Sequence, residues 1–384
     1  MEYVFKNKFY TIFFTIFDFI GSVLFFPAKL IFRSKLPKDP KNILIIRLDH
    51  IGDVVYSAPV AVNLKLAYPD ARITFLVSTP AKDIIANNPY IDEIICFDAP
   101  WFSREKKTNG NSALFWGLVK KVRKINFDIG LDLRGDFRQI VLMWLSGIRF
   151  RVSYGITGGG FLLNKQTHYH KRFNPLERNL HHLESLNIPI VINRTELFSS
   201  KDDVAFVEGF LSENNIKPEY SVIIHPCAGY SSKNWSSEKF SELARLIRER
   251  LNLSLIFIGA QKDVKTINSI IEASGIDAIN AAGKTSLGEL VALIQKTGFF
   301  IGVDSGPSHV ASILNKPAII LYSGTNNANE WAPRGINTVV IQKKVSCQEC
   351  ELLECKINEC MNLITVKEVF DTLNVLVAKN INKE

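Results

Sequence analysis

Asn42-Ile-Leu-Ile-Ile-Arg47-Leu-Asp49-His-Ile-Gly52-Asp53 decides the fold of this 384-residue chain. Ile43 to Ile46 are four apolar residues in succession, which reads as a strand buried on both faces, because a strand with one wet face alternates. Gly52 lets the backbone turn tightly, and from Val54 to Ala67 the pattern is helical. Strand, turn and helix in that order open a doubly wound α/β sheet, which binds its ligands outside the carboxyl ends of the strands. About 250 residues later, Phe299-Phe-Ile-Gly302-Val-Asp304-Ser-Gly306-Pro-Ser-His309 repeats the arrangement. One chain therefore presents two candidate site edges.

Strands and helices alternate between them. Arg72 to Val77, Ile94 to Phe97 and Phe127 to Leu131 read as strands, with a helix over Leu114 to Ile125. The pattern restarts with strands at Val222 to His225, Ser254 to Ile258, Ala278 to Ala281, Phe299 to Val303 and Ala318 to Tyr322. Helices are expected over Glu238 to Arg250, Val264 to Ala273 and Leu287 to Ile294, and another from Ser308. Ser286 with Glu289 and Thr365 with Glu368 have capping-box spacing. The polar stretch from Thr195 to Tyr220, with Lys217-Pro218, reads as a linker. The expected organisation is an N-terminal segment over 1–36, doubly wound parallel-sheet domains over 41–200 and 215–345 facing across a cleft, and a cysteine-containing segment with a C-terminal helix over 346–384.

The first 33 residues differ from the rest. Phe9 to Pro27 is nearly long enough to cross a bilayer, which takes about 20 apolar residues. Lys8, Thr11, Thr15, Asp18 and Ser22 recur at three- and four-residue steps and fall on one helical face. That stripe suits a helix lying in the membrane interface with its polar groups toward water. A central Asp would cost a spanning helix about 2.5–3.5 kcal/mol. Packing on the protein's own surface is the third arrangement, and no small-residue cleavage pattern marks a signal peptide.

Composition is that of a globular protein, 47% hydrophobic and 22% charged. The 46 basic and 38 acidic residues leave a net charge of +8, which favours acidic partners or only aids solubility. The basic residues are scattered without a zinc-finger, RNP or basic-zipper pattern, so no nucleic-acid partner is expected.

At the first junction, Asp53 is placed either to act as a general base or only to cap the helix. Arg47 and Asp49 are positioned to pair across the same loop, and His50 reads as loop surface. At the second, Pro307 suits a first helical turn whose exposed N–H groups can hold phosphate oxygens, with Asp304 or Ser305 as plain N-caps the alternative. His225-Pro-Cys-Ala-Gly229-Tyr-Ser231-Ser-Lys233-Asn-Trp235, after the first strand of the same domain, adds a glycine turn, hydroxyls and a lysine that serves phosphate as a point charge. Arg134 and Arg138, after a strand in the first half, are candidates for an acidic acceptor.

These stretches together resemble glycosyltransferase family 9, the ADP-heptose:lipopolysaccharide heptosyltransferases. The resemblance runs in order from Asn42 to Val369 and includes Arg151-Val-Ser-Tyr-Gly155, Gly158-Gly-Gly-Phe161, Ile258-Gly259-Ala260 and Ala282-Gly283-Lys284-Thr285. It implies a GT-B fold of two Rossmann-like domains, with acceptor bound mainly by the first and nucleotide diphosphate sugar by the second. It also implies inversion at the anomeric centre without a catalytic metal or other cofactor. Asp53 would be the base, Lys233 would face the diphosphate, and Asp304, Ser305, Gly306 and His309 would hold diphosphate and sugar. Gly229 and Ser231 would line the same pocket. Gln261 stands where several relatives carry an acidic residue, at a nucleotide or ribose contact. The implied acceptor is a lipopolysaccharide-core or related glycolipid or oligosaccharide, met at the cytoplasmic face of the inner membrane. A nucleotide-sugar epimerase or hydrolase and a non-catalytic membrane-surface protein are the alternatives.

Cys96 and Cys227 read as lone buried thiols. Cys347, Cys350, Cys355 and Cys360 form a compact quartet that suits structural zinc, two disulfides or packed thiols, without the paired CxxC spacing usual for zinc. His168, His170, His181 and His182 lack carboxylates at ligating spacing. Arg134-Gly135-Asp136 reads as a loop after a strand, and 104–112 as an exposed, mobile loop.

Overall fold

The computed structural model describes residues 3–4, 7–31, 35–101 and 112–381, divided between two compact units, Met1–Thr195 and Glu196–Glu384. The first unit begins with helix α1 (Lys8–Ile31), then β1 (Asn42–Arg47), α2 (Ile51–Val55), α3 (Ala58–Ala67), β2 (Arg72–Val77), α4 (Lys82–Ile85) and β3 (Glu93–Cys96). It continues through α5 (Ser112–Ile125), β4 (Ile129–Asp132), α6 (Phe137–Leu145), β5 (Phe150–Ser153), β6 (Lys165–Gln166) and α7 (Pro175–Glu184). The second holds α8 (Lys201–Glu213), β7 (Ser221–His225), α9 (Ser237–Leu251), β8 (Ser254–Phe257), α10 (Val264–Ser274), β9 (Ile279–Asn280) and α11 (Leu287–Lys296). After these come β10 (Phe299–Val303), α12 (Gly306–Ile313), β11 (Ala318–Tyr322), α13 (Ala328–Trp331), β12 (Thr338–Gln342), α14 (Glu359–Asn362) and α15 (Val366–Ile381).

Each unit is built on a parallel sheet of six strands, ordered β3-β2-β1-β4-β5-β6 in the first and β12-β11-β10-β7-β8-β9 in the second. Read from the appropriate edge, both orders are 3-2-1-4-5-6: the first strand lies at the centre and the chain winds outward in both directions. The crevice where the direction reverses lies between β1 and β4 in one unit and between β7 and β10 in the other, and ligands of such sheets bind there. The registers Ile46 with Asp132 and Gly302 with His225 place the two strand ends of each crevice side by side. The central strands are apolar in succession because helices cover both faces: Ile43 to Ile46 and Val222 to Ile224 are fully buried.

Several segments differ from the sequence reading. The helix expected over Val54 to Ala67 is broken at Tyr56 and Ser57, because Pro59 sits in the first turn of α3 and has no N–H to continue the ladder of α2. The stretch read as a linker contains α8, whose Val207 and Leu211 are buried and which packs on α11 of the second unit. Residues of the 346–384 stretch enter the core of that unit through Cys360, Met361, Ile364, Val369 and Leu373. Cys96 is exposed, being the last residue of edge strand β3, and Cys227 is half-buried. All six cysteines are free, and no group of three or more His, Cys, Asp or Glu among the described residues is placed to hold a metal ion. The loop at 104–112 lies outside the described residues except for Ser112.

The N-terminal segment forms one helix, and Lys8–Pro27 is long and apolar enough to cross a membrane. Its inner face differs from expectation. Asp18 is turned toward the protein instead of water: its Oδ1 accepts the Gly159 N–H at 2.7 Å and its Oδ2 the Tyr3 hydroxyl at 2.8 Å. Phe14 and Phe17 meet the Phe137 ring edge-on, Phe25 meets Trp144, and a Cβ at Gly21 would fall 2.5 Å from the Phe161 ring. Gly158 and Gly159 have φ of +99° and +83°, a region that tolerates glycine best, so the turn under α1 depends on both.

Removing the Asp18 carboxylate strands a buried N–H, at a cost of about 1–3 kcal/mol. Asp18→Ala is expected to lower the thermal unfolding midpoint by several degrees and Asp18→Asn by less, since an amide oxygen still accepts from Gly159; equal midpoints for all three chains in a melting experiment would refute this.

Candidate active site

At the first crevice a buried guanidinium organises the loop. Arg47, at the end of β1, has Nη2 2.9 Å from Asp53 Oδ1 and donates from Nη1 to the Leu133 carbonyl at 2.7 Å and to Asn179 Oδ1 at 3.3 Å. Its Nε lies 2.7 Å from Asp49 Oδ1, an ion contact without hydrogen-bond alignment. Burial opposes its charge, but Asp49 and Asp53 more than offset that and hold its pKa above the ordinary arginine value. Asp49 also receives Arg134 Nη1 at 2.6 Å.

The two carboxylates around Arg47 are pushed apart. Burial raises the Asp49 pKa against the pull of Arg47, and the neighbouring Asp53 charge raises it further. Asp53 is opposed by burial as well, yet Arg47, His50 and Arg134 together hold it below the usual range. The side chain of Asp49 is 2% exposed and that of Asp53 is 18% exposed, so Asp53 is the ionised oxygen that a ligand can reach. Asp53 does not cap α2: the N-cap is His50, with no side-chain cap bond. Deeper in the crevice, Asp132 at the end of β4 accepts from the backbone of Arg134 and Gly135, both at 3.1 Å, and from the Ser153 hydroxyl at 2.7 Å, while burial lifts its pKa to about 7.

At the second crevice the charges are arranged the other way round. Lys233, in the 3-10 turn after β7, has Nζ 2.5 Å from Asp304 Oδ2 at the end of β10. The lysine side chain is 17% exposed and the aspartate 8%, so the cation is the more reachable partner. Ser305 is the N-cap of α12 by position, but its hydroxyl caps no helix N–H and instead meets His225 Nδ1 at 2.9 Å, the Val303 carbonyl at 3.1 Å and Ser308 Oγ at 3.3 Å. Ser308 donates to the same carbonyl at 2.6 Å. No side chain of the N-cap therefore occupies the first N–H groups of α12, the alternative expected for Asp304 or Ser305. Burial lowers the His225 pKa to about 4, so a neutral imidazole orients Ser305. A lysine, uncapped helix N–H groups and small residues at the strand ends form a cradle suited to phosphate oxygens.

This arrangement accords with sequence and structural comparison. The profile of glycosyltransferase family 9 (heptosyltransferase) matches residues 115–361, more than half of the chain. The chain belongs to glycosyltransferase family 9. Over 309 residues it is 27% identical to the lipopolysaccharide core heptosyltransferase OpsX of Haemophilus influenzae, covering 78% of this chain and 84% of that one. Its fold matches that of a family 9 glycosyl transferase from Veillonella parvula, with a TM-score of 0.76, 22% identity and coverage of 90% and 99%. It also matches the ADP-heptose lps heptosyltransferase II of Escherichia coli, with a TM-score of 0.69, 21% identity and coverage of 88% and 99%. The architecture is thus the GT-B fold of the family, and the protein is a glycosyltransferase.

The residues singled out in this family 9 chain fall into two groups. Asp53, Arg134 and Arg138 are in the first unit, with Arg138 bound to Asp136, the N-cap of its own helix, at 2.6 Å and lying over the Trp101 ring. Lys233, Asp304, Ser305, Gly306 and His309 are brought together by the adjacency of β7 and β10, and exposed Gly229 and Ser231 lie in the loop after β7. Gln261 is exposed in the turn after β8, with its side chain against Gly283. Sequence reasoning missed Asn179 of α7, which binds Arg47 through Oδ1 and the Tyr56 carbonyl through Nδ2 at 2.9 Å. It also missed Asp132 as a buried acid. The capping box Asn174 to Glu177 that starts α7 was visible in the sequence; the reach of Asn179 to a strand 132 residues away was not.

A raised carboxyl pKa in the folded state means that the folded form holds a proton the unfolded chain has lost, so stability falls as pH rises from about 4 through about 7. Asp132→Asn is expected to remove that dependence. The melting temperature of the variant relative to the native chain should rise between pH 5 and pH 8, and a difference that is flat or falls over that range would show Asp132 to be ionised throughout.

Proposed function

We propose that this chain is an inverting heptosyltransferase that moves heptose from ADP-heptose onto a lipopolysaccharide-core or related glycolipid acceptor at the cytoplasmic face of the inner membrane. The donor and acceptor classes are supported by the names of the relatives, and the membrane by the apolar N-terminal residues within 1–33. The observation that carries the chemistry is the opposed charge at the two crevices: a reachable carboxylate, Asp53, in the first unit, and a reachable lysine beside uncapped helix N–H groups in the second.

In a single displacement the acceptor hydroxyl oxygen forms a bond to the anomeric carbon while the bond from that carbon to the diphosphate oxygen breaks. The electron pair leaves with the diphosphate, and the acceptor proton passes to Asp53. Lys233 and the first turn of α12 stabilise the charge that develops on the leaving group, and because they are held in place beforehand they need not reorganise during the reaction. Asp304 holds Lys233 in the cradle and, with His309, is assigned to the sugar. Gly229, Ser231, Ser305 and Gly306 line the diphosphate, and Gln261 the nucleoside. A low pKa does not disqualify Asp53: proton transfer accompanies C–O bond formation, when the acceptor oxygen has become far more acidic. Arg47 fixes the carboxylate through Oδ1 and leaves Oδ2 for the acceptor hydroxyl. Arg134, half-exposed beside Asp49, is assigned to an acidic group on the acceptor. No catalytic metal takes part in this scheme.

Asp53→Asn is expected to lower turnover at least about a hundredfold while the calorimetric affinity for ADP-heptose stays within about twofold. Lys233→Ala should instead weaken donor binding roughly tenfold to a hundredfold, the worth of one charge-assisted hydrogen bond. Undiminished turnover in Asp53→Asn would remove it as base, and release of free heptose without acceptor would make the enzyme a hydrolase.

A further inference from the structure

The outer face of α1 is exposed among the described residues. Ile12, Ile16, Phe19 and Val23 lie along one line of the helix and are 51–70% exposed, together with their neighbours Phe13, Ile20, Leu24 and Phe26. The opposite face is fixed to the first unit through Asp18, Phe14, Phe17 and Gly21. Helices α5 and α6 pack with α1 on one side of the first sheet, in a common core with Leu44, Ile46 and Leu76. Trp144 of α6 touches Phe25 and is 40% exposed, and Leu114 and Trp116 of α5 are 60% and 50% exposed. The next turns of α5 carry exposed Lys120, Lys121, Arg123 and Lys124, and Lys8 and Lys35 stand exposed near the two ends of α1.

We infer that α1, Trp144 and the first turns of α5 form one docking surface for an anionic phospholipid bilayer, with α1 lying in the plane of the interface. This rests on the membrane part of the proposed function and fixes its geometry. An interfacial helix needs an apolar face toward the acyl region and something to satisfy its other face; here the protein body does so, and Asp18 is already bound to the Gly159 N–H. A spanning helix would have to leave those partners and carry Asp18 into lipid. The lysines and the arginine at the rim match anionic headgroups.

The test uses the full chain, without donor or acceptor, and vesicles of phosphatidylcholine with or without phosphatidylglycerol. A fluorescent amino acid placed singly at Ile12, Ile16, Phe19 and Val23 should be quenched by lipids brominated at a shallow position, to the same depth at all four sites. A depth difference of about 16 Å between the first and last, the rise of eleven helical residues, would mean a spanning helix and overturn the inference. Self-association that buries the labels and abolishes vesicle binding would overturn it in favour of a second copy. Replacing Lys120, Lys121 and Lys124 together by Gln should weaken binding to the anionic vesicles on the order of a hundredfold, from about fivefold per lysine, and leave binding to neutral vesicles unchanged. An equal affinity for anionic vesicles would sink the charge assignment. Because no transfer is measured, these outcomes are independent of whether Asp53 and Lys233 have the roles given above.

Discussion

A guanidinium cannot be taken out of water unless carboxylates and carbonyls surround it, and the first unit is arranged around meeting that demand at Arg47. The strand end supplies the cation, the next six residues supply Asp49 and Asp53, the neighbouring strand supplies the Leu133 carbonyl, and α7 supplies Asn179. The cluster has a chemical result. Two carboxylates share one cation, and their surroundings separate them: Asp49 is enclosed and its proton affinity raised, while Asp53 stays reachable and ionised. Pairs of acids driven apart in this way assign roles to themselves.

The second unit solves the same topological problem with the opposite sign. Its crevice also lies beside the central strand, where the winding reverses, but there the more exposed member of the ion pair is a lysine and the enclosed member an aspartate. The helix that follows is left uncapped by Ser305, whose hydroxyl is held by His225 and the Val303 carbonyl. One sheet order, used twice, thus presents an anion from the first unit and a cation from the second.

Much of this could be read in the sequence because it depends on local order. Ile43 to Ile46 and Phe299 to Val303 announce buried parallel strands by continuous apolarity, and the glycine or proline after each marks the turn into a helix. Ser286 and Glu289 cap α11 reciprocally, at 3.2 Å and 2.7 Å, as their spacing implies. Thr365 and Glu368 do so only by half: the Glu368 N–H reaches Thr365, but its carboxylate is drawn to Lys343. What the sequence could not show are contacts chosen by tertiary position. Asn179, Asp132 and His225 are ordinary residues until the sheet places them beside Arg47, Ser153 and Ser305. The break between α2 and α3 was present in Pro59, but the apolar period running through it is the stronger signal to the eye. Helix α8 was hidden for the converse reason, since its polar composition outweighs its few buried positions.

Asp18 shows why a lone acid in an apolar helix is ambiguous, and what its resolution implies. Water, another membrane-embedded group or a backbone donor would each satisfy it, and all three fit the same spacing. Here the donor is Gly159, in a turn whose neighbour Thr157 donates from both N–H and hydroxyl to the Gly135 carbonyl while its hydroxyl accepts the Phe137 N–H. Gly135 in turn donates to Asp132, and Arg134 beside it grips Asp49. Hydrogen bonds joined by short stretches of backbone therefore lead from the inner face of α1 to the cluster that orients Asp53. The apolar helix is not a tether at the end of a flexible arm; it is fixed to the loop that forms one wall of the carboxylate crevice, so any surface that receives α1 also sets the position of Asp53 relative to that surface.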